Sequence, residues 1–206
     1  MLLEYPSPGF NDRLDLASAA LNELPRSPAR DKLSGFVRYC RATASTTLAV
    51  GYVETFDVRR RQTLHLTYYR DGDTRRRGHS LARIKEIFRS HGWNPPSTEL
   101  PDHLCVLLEF AGREPDAGEE LLTQLRPGIE LLKLSLAESA SEYLPIVEAV
   151  DLTLPRATTE QARRAHALAA TGPPVESVGV SDMPPDGRSV WLGTPGMSDT
   201  ARRNES

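Results

Sequence analysis

The sequence predicts an all-α protein, a single helical-bundle domain over residues 1–170 followed by a disordered tail over 171–206. Three observations carry this. Apolar residues recur at three- and four-residue steps through most of the first 155 positions. Proline, glycine and capping residues punctuate most of those stripes at their ends. From Thr171 onward periodicity stops, and proline, glycine, serine and aspartate dominate.

Pro6, Pro8 and Gly9 form a turn before the first stripe, Phe10, Leu14, Ala17, Leu21 and Leu24, which Pro25 ends. Ser27 with Pro28 reads as an N-cap and a first-turn proline, opening a second helix whose apolar face is Leu33, Phe36, Val37 and Cys40. Residues 45–57 begin on a capping serine and place Tyr52, Val53 and Phe56 on one face. The stretch QTLHLTYYR is ambiguous: Leu64, Leu66 and Tyr68 alternate as in a strand. A lone strand among helices would lack partners for its backbone groups, which favours a helix over 61–70.

Residues 74–91 read as a helix with Leu81, Ile84, Ile87 and Phe88 buried and Gly92 as a left-handed stop. After a loop through Pro95 and Pro96, Pro101 and Asp102 fit the first positions of a helix carrying Leu104, Leu107, Leu108 and Ala111. Leu122, Leu125, Ile129, Leu132 and Leu136 form another stripe, which Pro127 and Gly128 divide into two helices or kink. Tyr143, Leu144, Val147 and Val150 mark a short helix that tolerates Pro145 only in its first turn, and 158–170 a weak alanine-rich one. In the tail, Val190, Trp191 and Leu192 are the one place suited to docking.

Composition narrows function. The 206 residues carry a net charge of −3, which argues against a nucleic-acid binder. Cys40 and Cys105, far apart, suit free thiols in a reducing compartment and form no zinc motif. No apolar run spans a bilayer and the N-terminus lacks a secretory pattern, so a cytoplasmic protein is expected. No nucleotide loop, nucleophile elbow or paired-histidine motif occurs, and the five histidines give no metal spacing. Neither catalytic residue, metal nor cofactor is expected on the chain.

Asp102 and His103 are adjacent and so point apart on a helix; Asp102 suits a first-turn carboxylate at the helix dipole, with binding as the other reading. Arg59–Arg61 and Arg75–Arg77 are interleaved with Glu54, Asp57, Asp71 and Asp73, more a solvated, ion-paired face than a phosphate patch. Residues 99–120 carry Glu99, Asp102, Glu109, Glu114, Asp116, Glu119 and Glu120 against Arg113. Such a surface is either solvated or fitted to a basic amphipathic peptide.

The run GYVETFDVRRRQTLHLTYYRDGDTRRRGHSLARIKEIFRSHGW, then STELPDHLCVLLEFAG, resembles the delta-subunit (NarJ-type) assembly chaperones of respiratory nitrate reductase, within the wider redox-enzyme maturation family of TorD and DmsD types. Phe56-Asp57-x-x-Arg60, the Asp73-x-Arg75-x-Arg77-Gly78 element and the Glu99–Leu104 loop occur in order, and the opening LLEYP also fits. The likeness is dense over residues 50–111 and extends from residue 2 to about 155; the tail lies beyond it.

The resemblance implies a helical, non-catalytic chaperone. It would bind the N-terminal segment of the nitrate reductase catalytic (alpha) subunit, a relic of a twin-arginine signal. It would hold the apoenzyme for insertion of the molybdenum cofactor and iron–sulfur clusters and for membrane attachment, alongside the cofactor-insertion machinery. Nucleic acid and stable membrane insertion are not implied. Other readings are a chaperone for a related molybdoenzyme, or a helical metal-dependent hydrolase using Asp102 and His103. Family members carry residues ahead of LLEYP, so the resemblance also implies a late start or a clipped first helix.

The implied peptide site is a groove between helices 45–57, 61–70 and 102–111. Tyr52, Phe56, Tyr68 and Tyr69 would be its aromatic anchors, with the hydrophobic core as the other place for about half of them, and Asp57, Glu99, Asp102 and Glu109 its acids. Pro101, His103 and Leu104 complete the loop associated with recognition in the wider family. On this reading Asp102→Asn or His103→Ala lowers client maturation without unfolding the chain.

Overall fold

Helix-forming stripes and their punctuation fall into nine α-helices among the described residues of a computed structural model, which are 2–95, 99–156, Arg163, Ala167 and Leu168. All of them lie in one compact unit, Met1–Glu176. The tail, the boundary at residue 170 and most of segment 158–170 lie outside the described residues.

Helix α1 (Phe10–Glu23) starts after Gly9, whose φ of 86° needs glycine, and buries Phe10, Leu14, Ala17 and Leu21. Leu24 falls just past its end and is exposed, so the stripe stops one step earlier than its spacing implies. In α2 (Pro28–Ala42) the Ser27 hydroxyl accepts the Arg30 N–H at 3.2 Å, satisfying one free amide of the first turn. Helix α3 (Ser45–Tyr52) differs from expectation: Ala44, not Ser45, is its N-cap, and no side chain caps it. At Val53–Asp57 the backbone widens into a π turn.

The segment after it is the main departure. There is no helix over 61–70. A 3-10 turn, Arg60–Gln62, leads into extended backbone, and a one-turn α4 (Tyr68–Asp71) follows. The partner that a strand appeared to lack comes from the Glu99–Leu104 loop. Leu66 N–H donates to the Asp102 carbonyl at 3.0 Å, and Leu104 N–H to the Leu64 carbonyl at 2.9 Å, with an antiparallel bridge between His65 and His103. Leu64 and Leu66 are buried, and α8 (Arg126–Glu138) presses so closely on this backbone that a Cβ on Gly128 would lie 2.7 Å from the Leu66 carbonyl. Pro127 sits in the first turn of α8, so the proline separates two helices rather than kinking one.

Helix α5 (Arg75–Ser90) ends as its glycine predicts. Gly92 has a φ of 70°, Trp93 N–H reaches back to Phe88 O and Gly92 N–H to Arg89 O, both at 2.9 Å. Helix α6 (Leu104–Arg113) and α7 (Pro115–Gln124) cross tightly, since a Cβ on Gly118 would lie 2.2 Å from the Ala111 Cα. Helix α9 (Leu144–Thr153) takes Pro145 in its first turn and packs on α2 and α8. The core is continuous through Leu14, Phe36, Phe88, Leu107, Phe110, Ile129, Leu132 and Val147; each such side chain contributes roughly 1.5–3 kcal/mol. Among the described residues no helix is long and apolar enough to cross a membrane.

Candidate functional site

The Glu99–Leu104 loop does not begin α6 at Pro101. His103 is the N-cap, its ring Nδ1 accepting the Cys105 N–H at 3.3 Å, and Pro101 and Asp102 precede the helix. The Asp102 carboxylate therefore does not sit on the helix dipole. It turns inward, with 0% exposure, into the paired extended segment. One oxygen accepts the Thr67 hydroxyl at 2.5 Å and the Thr67 N–H at 3.3 Å; the other lies 3.2 Å from His65 Nδ1. Arg77 approaches at 3.5 Å. Burial alone would push this carboxyl up, but the hydrogen bonds from His65 and Thr67, with the charge of Arg77, hold it below the usual range.

Arg77 is therefore no solvated member of its arginine run. It spans Asp102 and Asp73, with its guanidinium over the Tyr68 ring at 5.9 Å. Tyr69 is buried and donates its hydroxyl to the carbonyls of Arg61 and Thr63 at 3.0 and 2.9 Å, fixing the 3-10 turn. Asp71 is likewise buried, held by Arg70 and by the Ser80 hydroxyl at 2.6 Å.

Five of the residues expected at the peptide site are thus interior. Phe56, Tyr69, Pro101, Asp102 and Leu104 are buried. A buried carboxylate with all its donors internal offers no oxygen at the surface, so Asp102 holds the Glu99–Leu104 loop from within. Phe56 packs its ring on Tyr143 at 4.8 Å.

What reaches the surface is a different set. Tyr52 lies half-buried between Tyr5, Phe56 and Tyr143, with ring centroids at 5.6, 5.0 and 5.9 Å, and its hydroxyl donates to the Leu3 carbonyl. Burial raises its phenol, and Asp57, Glu99 and Glu4 reinforce the shift by their charge. The Cys105 thiol is pushed up to about 11 by burial, with Glu4 and Glu99 acting on it as well. His103 is pushed down by burial and by His65, whose ring stands edge-on at 5.2 Å, against the opposing pull of Glu99, Asp102 and Glu4. The charges of Glu4 and Glu99 thus act on Tyr52, His103 and Cys105 alike, and that of Asp57 on Tyr52. Val50, Val53, Val58 and Leu100 are exposed large apolar side chains on the same elements.

Tyr68 belongs to the Asp102 network through Arg77, and Glu109, one turn beyond Cys105, pairs with Arg113 at 3.2 Å. Sequence reasoning missed His65, Thr67 and Arg77 as the carboxylate's partners. For His65 the signal was present in the alternation with Leu64 and Leu66; Thr67 stands in a turn with right-handed helical backbone, which the alternation does not foretell. Cys40 is buried and Cys105 partly so, both as free thiols. Among the described residues no three His, Cys, Asp or Glu side chains gather into a metal-holding group.

The family described as nitrate reductase delta subunit matches residues 22–148. The nitrate reductase-like protein NarX of Mycobacterium tuberculosis is 40% identical over 151 residues, covering 73% of this chain but 22% of that protein. The chain thus spans only about a fifth of that relative's length. The probable nitrate reductase molybdenum cofactor assembly chaperone NarJ of Bacillus subtilis is 29% identical, covering 71% of this chain and 80% of the relative. The nitrate reductase molybdenum cofactor assembly chaperone NarJ of Escherichia coli K12 is 31% identical, covering 77% and 67%.

Proposed function

The chain belongs to the nitrate reductase delta subunit family, and we propose that it works in the cytoplasm as an assembly chaperone for a molybdenum-dependent nitrate reductase, without catalysing a reaction. It holds the N-terminal segment of the catalytic subunit while cofactor and iron–sulfur clusters are inserted, and it leaves the finished enzyme. The observation that carries this is the mixed surface around Tyr52. The charges of Asp57, Glu99 and Glu4 act on Tyr52, and Val53 and Leu100 on the same elements are exposed, a combination that suits one apolar face and one cationic face of a short helix.

The proposed contact set is Tyr52, Asp57, Glu99, His103, Val53 of the π turn and Val58 just after it. Tyr69, Pro101, Asp102 and Leu104 position them from beneath. The π turn itself has a role here. Widening at Val53–Asp57 breaks the register of α3 just before Val58, and Asp57 and Val58 are both exposed there.

Calorimetric titration with a synthetic peptide from the N-terminus of the catalytic subunit is the test. Saturable binding is expected, weakening with salt because rim charges contribute. A protein that binds no such peptide, in cells whose nitrate reductase matures normally without it, would refute the assignment. Preference for the N-terminal peptide of another molybdoenzyme would transfer the client while keeping the site.

A further inference from the structure

Helix α5 is strongly basic in a chain whose net charge is −3: Arg75, Arg76, Arg77, Arg83, Lys85 and Arg89 stand against Glu86. Arg77 is spent on Asp102 and Asp73, and Arg89 meets Glu86 at 3.9 Å. Arg83 is exposed, and among the described residues its guanidinium has no ion pair or hydrogen bond. It lines a cleft of about 250 Å³ between α4, α5 and α7. The other polar groups of that cleft include Arg70, His79, Ser80 and Gln124, and no carboxylate is among its lining side chains. The apolar part is Ile84, Ile87, Leu121 and Leu125, of which all but Ile87 are buried.

Arg70 is held in place at this cleft. Its guanidinium donates to the Asp71 carboxylate through Nε at 2.8 Å and Nη2 at 2.9 Å, and to the Ser80 hydroxyl at 2.7 Å. Ser80 in turn donates to the buried Asp71 at 2.6 Å. This two-pronged pairing fixes the plane of the guanidinium and leaves Nη1 without a partner among the described residues. Asp71 is thereby matched by Arg70, and Arg83 adds a positive charge that nothing in the cleft balances. The other nearby acid, Glu120, accepts from Gln124 Nε2 at 3.1 Å, and the same amide keeps a second N–H to give.

We propose that this cleft binds a small phosphate monoester, its phosphoryl group between Arg70 and Arg83 and its carbon body on Ile84, Ile87, Leu121 and Leu125. Guanidinium groups present planar forks of N–H donors that match phosphoryl oxygens. Two of them, with further N–H groups from Gln124 and His79, suit a dianion with three free oxygens. A carboxylate brings one charge and two oxygens, and inorganic phosphate brings nothing to lay on the apolar side. The volume falls just under that of sites for drug-sized ligands, about 300–1,000 Å³, so the carbon body is compact. None of the lining residues belongs to the proposed client-peptide contact set, so the proposal goes beyond the chaperone reading and does not rest on it.

The test is calorimetric titration of the full chain with phenyl phosphate, inorganic phosphate and benzoate. Saturable binding of phenyl phosphate, at least tenfold tighter than that of either other probe, is the expected result, with shifts in the amide resonances of Ile84, Ile87 and Gln124. Arg83→Gln, at an exposed position, should weaken phenyl phosphate at least tenfold, while Arg89→Gln, on the same helix but outside the cleft, should leave it unchanged. Inorganic phosphate binding as tightly as the ester would mean a free-anion site and overturn the proposal. Benzoate binding as tightly, or no binding of phenyl phosphate, would overturn it too. So would full affinity in Arg83→Gln, or resonance shifts confined to residues outside the cleft. That last measurement is made on the unaltered chain and decides even where the variant does not fold.

Discussion

Replacing Asp102 with asparagine separates the supporting role of this carboxylate from the contact role its sequence position implies. The side chain is fully buried and receives two bonds from Thr67 and one from His65, with Arg77 at 3.5 Å. Asparagine keeps the size. Its oxygen can still serve Thr67, and its NH2 can face His65 if the imidazole proton moves to the far nitrogen. What is lost is the charge. Each bond falls from charge-assisted to neutral strength, a difference of about 1 kcal/mol, and the half-buried Arg77 loses a counter-charge. The sum is about 3 kcal/mol. Urea denaturation followed by circular dichroism reads it directly, and the thermal midpoint should drop by about 6–12 °C for a chain of this length. Any loss of client maturation in Asp102→Asn then follows from lost stability rather than from a lost contact. A variant within about 0.5 kcal/mol of the parent would show that the network around Asp102 does not hold the loop in place.

Glu99→Gln and Asp57→Asn lie at the surface and should leave the urea midpoint within about 0.5 kcal/mol while weakening client-peptide affinity several-fold at low salt; calorimetry at two ionic strengths checks both. His103 has a folded-state pKa below its ordinary 6.5, so the unfolded chain takes up the proton first on acidification. Its stabilising contribution is present above about 6.5 and is lost as pH falls through that value towards the folded one. Urea midpoints measured from pH 7.5 to 5.5 should decline, and His103→Gln should flatten the decline. Gly118→Ala forces a Cβ to within 2.2 Å of the Ala111 backbone and should cost about 1–3 kcal/mol by overpacking, readable as a lower thermal midpoint.

Most helices were legible because burial follows periodicity wherever a helix offers one face to the core. Phe10, Leu14, Ala17 and Leu21 do so, as do Ile84 with Phe88 and Leu132 with Leu136. Caps were readable where a side chain or a glycine does the work, as at Ser27 and Gly92. They were not readable at Ala44, where nothing but the backbone starts the helix. The close crossings at Gly118 and Gly128 left no mark in the pattern, since a glycine required by a neighbouring helix looks like any other.

The segment 61–70, where the departure is largest, shows what local reasoning leaves out. Alternation at Leu64 and Leu66 pointed to extended backbone, and the objection was the missing partner. That partner is a loop, not a strand: Leu100 to Leu104 supplies two main-chain bonds and one carboxylate. A loop can do this because Asp102 adds side-chain acceptors to the Thr67 N–H and hydroxyl, replacing the further ladder bonds a full strand would give. The extended segment thus depends on Asp102, and Asp102 stays charged in the interior because the segment aims Thr67 and His65 at it. Neither element is stable in this form without the other, which is why a pattern confined to either stretch could not settle the conformation. The same dependence fixes His103 as the cap of α6 and so sets where Glu99 and Leu100 stand beside Tyr52. Cutting either main-chain bond, for instance by Leu66→Pro, should therefore loosen the Glu99–Leu104 loop as well as the extended segment, seen as faster amide exchange at Leu104 and Cys105.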